Sequence, residues 1–102
     1  MIRNYIGIIP ARYKSSRFPG KPLVKLLGKP MIIWVAELAS TALGKENIII
    51  ATDDDRIKKV VQDAGYNCIM TSPKHLTGTD RLAEVARRIK SNIYINLSLI
   101  HI

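Results

Sequence analysis

The hydrophobic and polar positions of the chain follow two alternating periods. Short β-branched runs predict strands at residues 5–9, 47–52, 66–70 and 93–96. Between them, apolar residues recur at helical spacing in residues 31–43, 55–64 and 79–89. Strands that alternate with amphipathic helices predict an α/β fold, a Rossmann-like and mostly parallel sheet with helices on both faces.

Residues at the ends of the predicted helices agree with this pattern. Gly44 and Gly65 follow the first two helices, and Asp53 or Asp54 can cap the second. The apolar context predicts that Trp34 packs inside the molecule.

Length and cysteine content narrow the class of protein. A chain of 102 residues with 47% hydrophobic residues can form one globular unit with a core. Its single cysteine, Cys68, cannot form an internal disulfide, and we expect it in the core. The apolar run before Pro10 is too short for a signal peptide or a membrane span. These features predict a cytoplasmic protein.

The net charge of +8 suits nucleic acid, an anionic membrane surface or a small polyanion. Its distribution favours the last of these. Four cations fall within ten residues after the first strand: Arg12, Lys14, Arg17 and Lys21. Six others lie on predicted helix surfaces, where solvated charge is the ordinary interpretation: Arg56, Lys58, Lys59, Arg87, Arg88 and Lys90.

This basic segment begins where a ligand is expected in such a fold. In open α/β sheets, ligands bind beyond the carboxyl ends of the strands, near a topological switch point. Arg12, Arg17 and Lys21 can donate charge-assisted hydrogen bonds to phosphate oxygens, so we expect a triphosphate there. The segment matches neither GxGxxG nor GxxxxGK[ST], and on charge alone a solvated basic loop is an equal alternative.

The order of residues adds information that charge does not. The chain contains PAR, SSR and PGKPL in the basic segment, then LGKPMI, IIIATDD, CIMTSPKHLTGTDRLAEVA and IYIN. Together these motifs resemble the 3-deoxy-manno-octulosonate (Kdo) cytidylyltransferases, which have a nucleotide-diphospho-sugar transferase-like fold. The sialic acid cytidylyltransferases and the nucleotidyltransferases for sugar phosphates are the alternative enzymes.

The resemblance implies that CTP activates Kdo to CMP-Kdo for lipopolysaccharide synthesis, with Mg²⁺ as cofactor and a homodimer as the full-length assembly. It implies catalytic roles for Arg12 and Lys21. The implied CTP-binding residues are Ala11, Arg12, Ser15, Ser16, Arg17, Lys21, Thr77, Gly78, Thr79 and Arg81.

The segment HLTGTDR departs from the family's His-x-Ser-Gly-Thr-Glu-Arg at Thr77 and Asp80. By the resemblance, its hydroxyls and the close backbone at Gly78 approach the cytosine edge, while Arg81 faces an anionic ligand. The alternative is an ordinary helix start in which Thr77 or Thr79 is the cap.

The resemblance ends after residue 96. The family continues Gln-Gly-Asp-Glu-Pro, whose aspartate binds Mg²⁺, whereas this chain reads LSLIHI. We expect residues 1–96 to be the N-terminal nucleotide-binding part of a truncated cytidylyltransferase domain, inactive alone. Residues 97–102 form a non-family tail, for which sequencing-adapter DNA is the favoured origin and a diverged or frameshifted terminus the alternative.

We assign no metal ligand within this chain. The aspartates at 53–55 suit a helix start better than a metal, and His75 has no second histidine at ligand spacing.

Two non-enzymatic functions remain open on sequence grounds. A small basic nucleic-acid-binding module would explain the charge, although aromatic residues make up only 6% and no RNP, finger or zipper pattern is present. A truncated regulator that sequesters nucleotide is the other, and no feature of the sequence favours it.

Overall fold

A computed structural model of the chain describes residues 3–13, 20–72 and 78–97. The strands are β1 (Arg3–Ala11), β2 (Lys25–Leu26), β3 (Lys29–Pro30), β4 (Ile48–Thr52), β5 (Cys68–Met70) and β6 (Ser91–Asn96). The helices are α1 (Met31–Leu43), α2 (Asp55–Asp63) and α3 (Gly78–Arg88), with 3-10 turns at Lys21–Leu23 and Lys45–Asn47.

Four of these strands form one parallel sheet in the order β5-β4-β1-β6. The chain passes from β1 outward through β4 to β5, and then returns to place β6 on the other side of β1. The direction of winding therefore reverses between β1 and β6, which is the topological switch point of a doubly wound sheet. The predicted α/β class is confirmed, and each predicted strand is present with its ends shifted by up to two residues.

Both faces of the sheet are covered by helices, as the buried strand residues require. Helices α1 and α2 pack on one face through Ile32, Ala36, Ile57 and Val61 and similar residues. Helix α3 packs on the opposite face through Val85, against a second buried cluster. Successive residues along β1 and β4 point alternately to these two clusters, which is the period of two expected for strands.

Trp34 does not pack inside the molecule as predicted. Its side chain lies on the outer part of α1, 36% exposed, and its indole N–H donates to the Leu26 carbonyl at 2.8 Å. The ammonium of Lys29 lies 4.1 Å from the centre of its ring. The short β2–β3 hairpin, which the sequence pattern did not reveal, supplies both of these contacts.

The helix ends agree closely with the prediction. Helix α1 has the predicted bounds, α2 ends one residue earlier, and α3 begins and ends one residue earlier. Cys68 is only half-buried, although burial raises the pKa of its thiol to about 11. None of the helices in the described ranges combines the length and apolar character needed to cross a membrane.

Candidate functional site

The carboxyl ends of three parallel strands meet at one edge of the sheet. In the strand register, Ala11 at the end of β1 lies beside Thr52 at the end of β4, and Thr52 lies beside Met70 at the end of β5. Ala11 is buried, whereas Arg12, the next residue, is exposed. The first predicted site residues therefore lie at the edge where parallel sheets bind ligands.

Arg81 also reaches this edge, and its side chain is fully buried. Its Nη1 donates to the Thr71 hydroxyl and, at 3.5 Å, to the Ser72 carbonyl. Its Nη2 lies 3.6 Å from Oδ2 of Asp53, an ion-pair distance just too long for a hydrogen bond. Among the described residues, Nε and Nη2 have no hydrogen-bond partner. A buried guanidinium thus retains donor capacity at the site.

The pKa of Arg81 depends on its burial and on neighbouring charges, among them those of Asp53 and Arg12. Burial lowers the pKa of its guanidinium, and the positive charge of Arg12 lowers it further. The carboxylate of Asp53 acts in the opposite direction. The fold therefore brings two arginine charges, far apart in sequence, close enough to repel each other, and an anion placed near both would relieve that repulsion.

Helix α3 is held against the segment that follows β5 by charged side chains. Oε1 of Glu84 accepts a hydrogen bond from the Ser72 amide at 2.9 Å, and its other oxygen pairs with Arg88 at 3.0 Å. Arg88 in turn donates to the Met70 carbonyl. These contacts fix the position of the helix from which Arg81 extends.

Two neighbouring aspartates after β4 have different roles. Asp54 caps α2, because its Oδ1 accepts from the Arg56 amide at 2.9 Å and the Ile57 amide at 3.3 Å. Asp53 instead lies beside Arg81. Sequence analysis proposed a cap from this pair but missed the ion pair, although a second acidic residue beyond a strand end was a signal for it.

A backbone hydrogen bond joins the neighbours of Arg12 and Lys21. The amide of Gly20 donates to the Tyr13 carbonyl at 2.6 Å, and Lys21 then begins the 3-10 turn. Lys21 is partly buried. The two predicted catalytic cations therefore lie next to Tyr13 and Gly20, the two residues that this hydrogen bond joins.

The remaining predicted site residues lie outside the described residues or at the start of α3. Ser15, Ser16, Arg17 and Thr77 lie outside the described residues, as does His75. Gly78 and Thr79 are the first two residues of α3. Thr79 therefore lies within the helix and is not its cap.

The described residues contain no group of three or more His, Cys, Asp or Glu side chains that could hold a metal ion.

Comparison with known proteins identifies the family. Residues 6–98 match the family described as "Cytidylyltransferase". The chain belongs to the cytidylyltransferase family. The match includes the sheet edge, Arg12, Lys21 and Arg81, so the candidate site is part of the shared domain.

Several curated cytidylyltransferases are similar to this chain, and each is named 3-deoxy-manno-octulosonate cytidylyltransferase. One from Psychrobacter sp. (strain PRwf-1) is 57% identical over 81 residues, covering 79% of this chain and 30% of the relative. One from Anaeromyxobacter sp. (strain K) is 52% identical over 98 residues, covering 94% and 40%. One from Escherichia coli is 51% identical over 90 residues, covering 88% and 37%.

A solved cytidylyltransferase structure has the same fold. It is CMP:2-keto-3-deoxy-manno-octonic acid synthetase complexed with CTP, with a TM-score of 0.88 and 48% identity. The match covers 93% of this chain and 39% of that one. The chain therefore spans less than half the length of these relatives.

Proposed function

We propose that the full-length protein transfers a cytidylyl group from CTP to 3-deoxy-manno-octulosonate, giving CMP-Kdo and pyrophosphate for lipopolysaccharide synthesis. The names of the relatives support the reaction, and the CTP bound in the solved relative supports the nucleotide. The observation in this chain that carries the proposal is the fully buried guanidinium of Arg81 at the carboxyl edge of the sheet, whose Nε and Nη2 have no hydrogen-bond partner among the described residues.

Two like charges near a sheet edge favour a polyanionic ligand. Arg81 is buried and has two nitrogens without hydrogen-bond partners among the described residues, a costly arrangement unless a ligand accepts from them. A triphosphate offers several acceptor oxygens and several negative charges, so it can satisfy Arg81 and Arg12 together. Lys21, which directly follows Gly20, adds a third cation.

The reaction is an in-line displacement at phosphorus. The anomeric hydroxyl of the sugar acid attacks the α-phosphorus of CTP, its proton is lost, and pyrophosphate leaves with the electron pair of the broken P–O bond. Arg12 and Lys21 would neutralise charge that grows on the leaving group, while the rigid sheet edge fixes the nucleotide for attack. Gly78 and Thr79, at the start of α3, would approach the cytosine, with Ser15, Ser16 and Arg17 adding contacts to the phosphates.

Three further properties belong to this proposal. Mg²⁺ would neutralise the phosphates, but the described residues do not supply a set of ligands for it, so we place its ligands elsewhere in the full-length protein. We also propose that the full-length protein is a homodimer and acts in the cytoplasm.

The first test measures nucleotide choice by this chain. Isothermal titration calorimetry with CTP and ATP should show weak binding of CTP and weaker binding of ATP. Weak binding is expected because contacts from the rest of the full-length protein are missing. Equal affinity for both nucleotides would contradict the cytosine assignment, and binding of single-stranded DNA in preference to CTP would favour the nucleic-acid alternative.

The second test measures the reaction itself. A chimaera in which residues 1–96 replace the matching part of the Escherichia coli relative should release pyrophosphate from CTP only when the sugar acid is present. The unmodified relative serves as the control. A folded chimaera that binds CTP but releases no pyrophosphate would overturn the proposed reaction.

A further inference from the structure

Tyr13 lies at a structural junction that the proposed chemistry does not use. Its carbonyl accepts the 2.6 Å hydrogen bond from the Gly20 amide, and this bond joins the backbone at the two residues. Arg12 directly precedes Tyr13, and Lys21 directly follows Gly20. Any movement of this junction would therefore move both cations of the proposed triphosphate site.

The ring of Tyr13 contacts the first turn of α2. The guanidinium carbon of Arg56 lies 3.4 Å from the centre of the ring, which is a close stacking contact. Tyr13 is also partly buried against the core cluster beneath α1 and α2. The junction of Tyr13 and Gly20 is thus also attached to helix α2.

The Arg56 side chain is itself fixed at both edges of its plane. Its Nε donates to Oδ1 of Asp54 at 3.1 Å, and its Nη2 donates to Oδ2 at 2.8 Å. Asp54 is held in turn by the backbone amides that it caps. The bidentate pair therefore orients the guanidinium for stacking on Tyr13, although Arg56 remains 58% exposed.

Gly20 completes the packing around the ring. Its backbone φ is 77°, and a Cβ atom placed there would lie 3.0 Å from Cε2 and 3.1 Å from Cζ of Tyr13. The absence of a side chain lets the ring approach the backbone closely. Tyr13 consequently contacts Gly20, which directly precedes Lys21, and Arg56, which lies in the first turn of α2.

We propose that Arg56 is a positioning residue that acts through Tyr13, holding the junction so that Arg12 and Lys21 are preset for the triphosphate of CTP. This inference rests on the proposed function. Preset cations lose less conformational freedom when the nucleotide binds, so the contact strengthens binding without touching the ligand. The competing explanation is that the exposed guanidinium of Arg56 contacts the phosphates directly.

The test compares variants of the 102-residue chain by CTP affinity and by urea unfolding. Arg56→Ala should weaken CTP binding about three- to tenfold, the scale expected for ordering one or two long side chains on binding. Arg56→Lys should weaken it similarly, because lysine keeps the charge but loses the planar stacking and the bidentate pair. Lys59→Ala is the matched control, since it removes an exposed cation one turn along the same helix.

Unfolding separates positioning from a loss of structure. The urea midpoint of Arg56→Ala should lie only slightly below that of Lys59→Ala, because Arg56→Ala also loses the pair with Asp54, while only Arg56→Ala loses affinity. If Arg56→Ala unfolds, Arg56→Lys still provides the comparison. Equal CTP affinity of the Arg56 and Lys59 variants would overturn the proposal, as would full affinity in Arg56→Lys, which would show that charge alone matters.

A double-mutant cycle tests the route through Tyr13. Tyr13→Phe, which keeps the ring, should retain affinity, whereas Tyr13→Leu should lose as much as Arg56→Ala. The double variant Tyr13→Leu with Arg56→Ala should bind no more weakly than the weaker single variant. Additive losses would show that Arg56 contacts the nucleotide itself and would overturn the inference.

The wild-type measurement distinguishes this inference from the function on which it rests. If the unmodified chain does not bind CTP, both the proposed function and this inference are wrong. If the unmodified chain binds CTP and the variants match it, the inference alone is wrong.

Discussion

The two sides of the candidate site hold positive charge in opposite ways. On the β1 side, Arg12 is exposed and directly follows the strand. On the α3 side, Arg81 is fully buried and bonded to Thr71 and Ser72. An exposed cation contributes little to folding, whereas a buried one depends on groups of the protein or of a ligand that accept its hydrogen bonds.

The aspartates after β4 repeat this contrast at adjacent positions. Asp54 caps α2 and pairs with the exposed cation Arg56. Asp53 serves the buried side as the counter-charge of Arg81. We therefore expect the buried side to matter most for stability, and three experiments test this expectation.

The largest effect should follow from removing the buried cation. Arg81→Met leaves the Asp53 carboxylate without its counter-charge and the Thr71 hydroxyl without its donor, and should lower the free energy of unfolding by about 2–3 kcal/mol. This value lies below that of a tight buried pair, because the ion pair is 3.6 Å long and Asp53 is 21% exposed. Arg12→Met is the matched control. Urea unfolding of both variants measures the difference, and equal stabilities would remove the distinction between the two sides.

The two predicted catalytic cations, Arg12 and Lys21, should matter for turnover more than for folding. In the chimaera with the Escherichia coli relative, Arg12→Ala and Lys21→Ala should each lower kcat/KM about tenfold or more, since a charge-assisted contact contributes about 1.5–3 kcal/mol. Their melting temperatures should stay near that of the parent, with Lys59→Ala as the control for general charge. Unchanged kinetics in both variants would show that the basic segment does not bind the triphosphate.

The smallest effect should come from the helix cap. The Arg56 side chain, with the capping amides, holds the pKa of Asp54 below its ordinary value. Because the folded pKa is the lower one, this stabilisation is complete above about pH 4, the unfolded pKa, and is lost as the pH falls through the folded pKa. Asp54→Asn keeps the cap and removes the charge, so we expect a change of about 1 kcal/mol or less at pH 7 and a flatter loss of stability in acid.

The control for this measurement is Asp63→Asn, whose carboxylate is 67% exposed in its pair with Lys59. Urea midpoints measured from pH 7 down to pH 2.5 compare the two variants with the parent chain. The role given to the cap would be contradicted if Asp54→Asn loses stability in acid as steeply as the parent chain does. It would also be contradicted if Asp63→Asn flattens this loss as much as Asp54→Asn does.

Prediction from sequence succeeded where the cause is local. The bounds of α1 follow from apolar residues at helical spacing that end at Gly44, and the structure has the same bounds. The hairpin of β2 and β3 was missed because each strand has only two residues, too few for a period to appear. The exposure of Trp34 was missed for a related reason, since its partners lie in that hairpin.

The sequence by itself determined the class of fold, the family and the position of the basic segment. Each of these depends on residue order or on short-range periodicity, which are visible in a single chain. Only the tertiary structure decided that Arg81 is buried beside Asp53, and that Arg56 stacks on Tyr13. Both pairs join residues from different elements of the fold. Which side chains meet at the sheet edge depends on strand order and helix packing, and no local pattern in the sequence encodes that meeting.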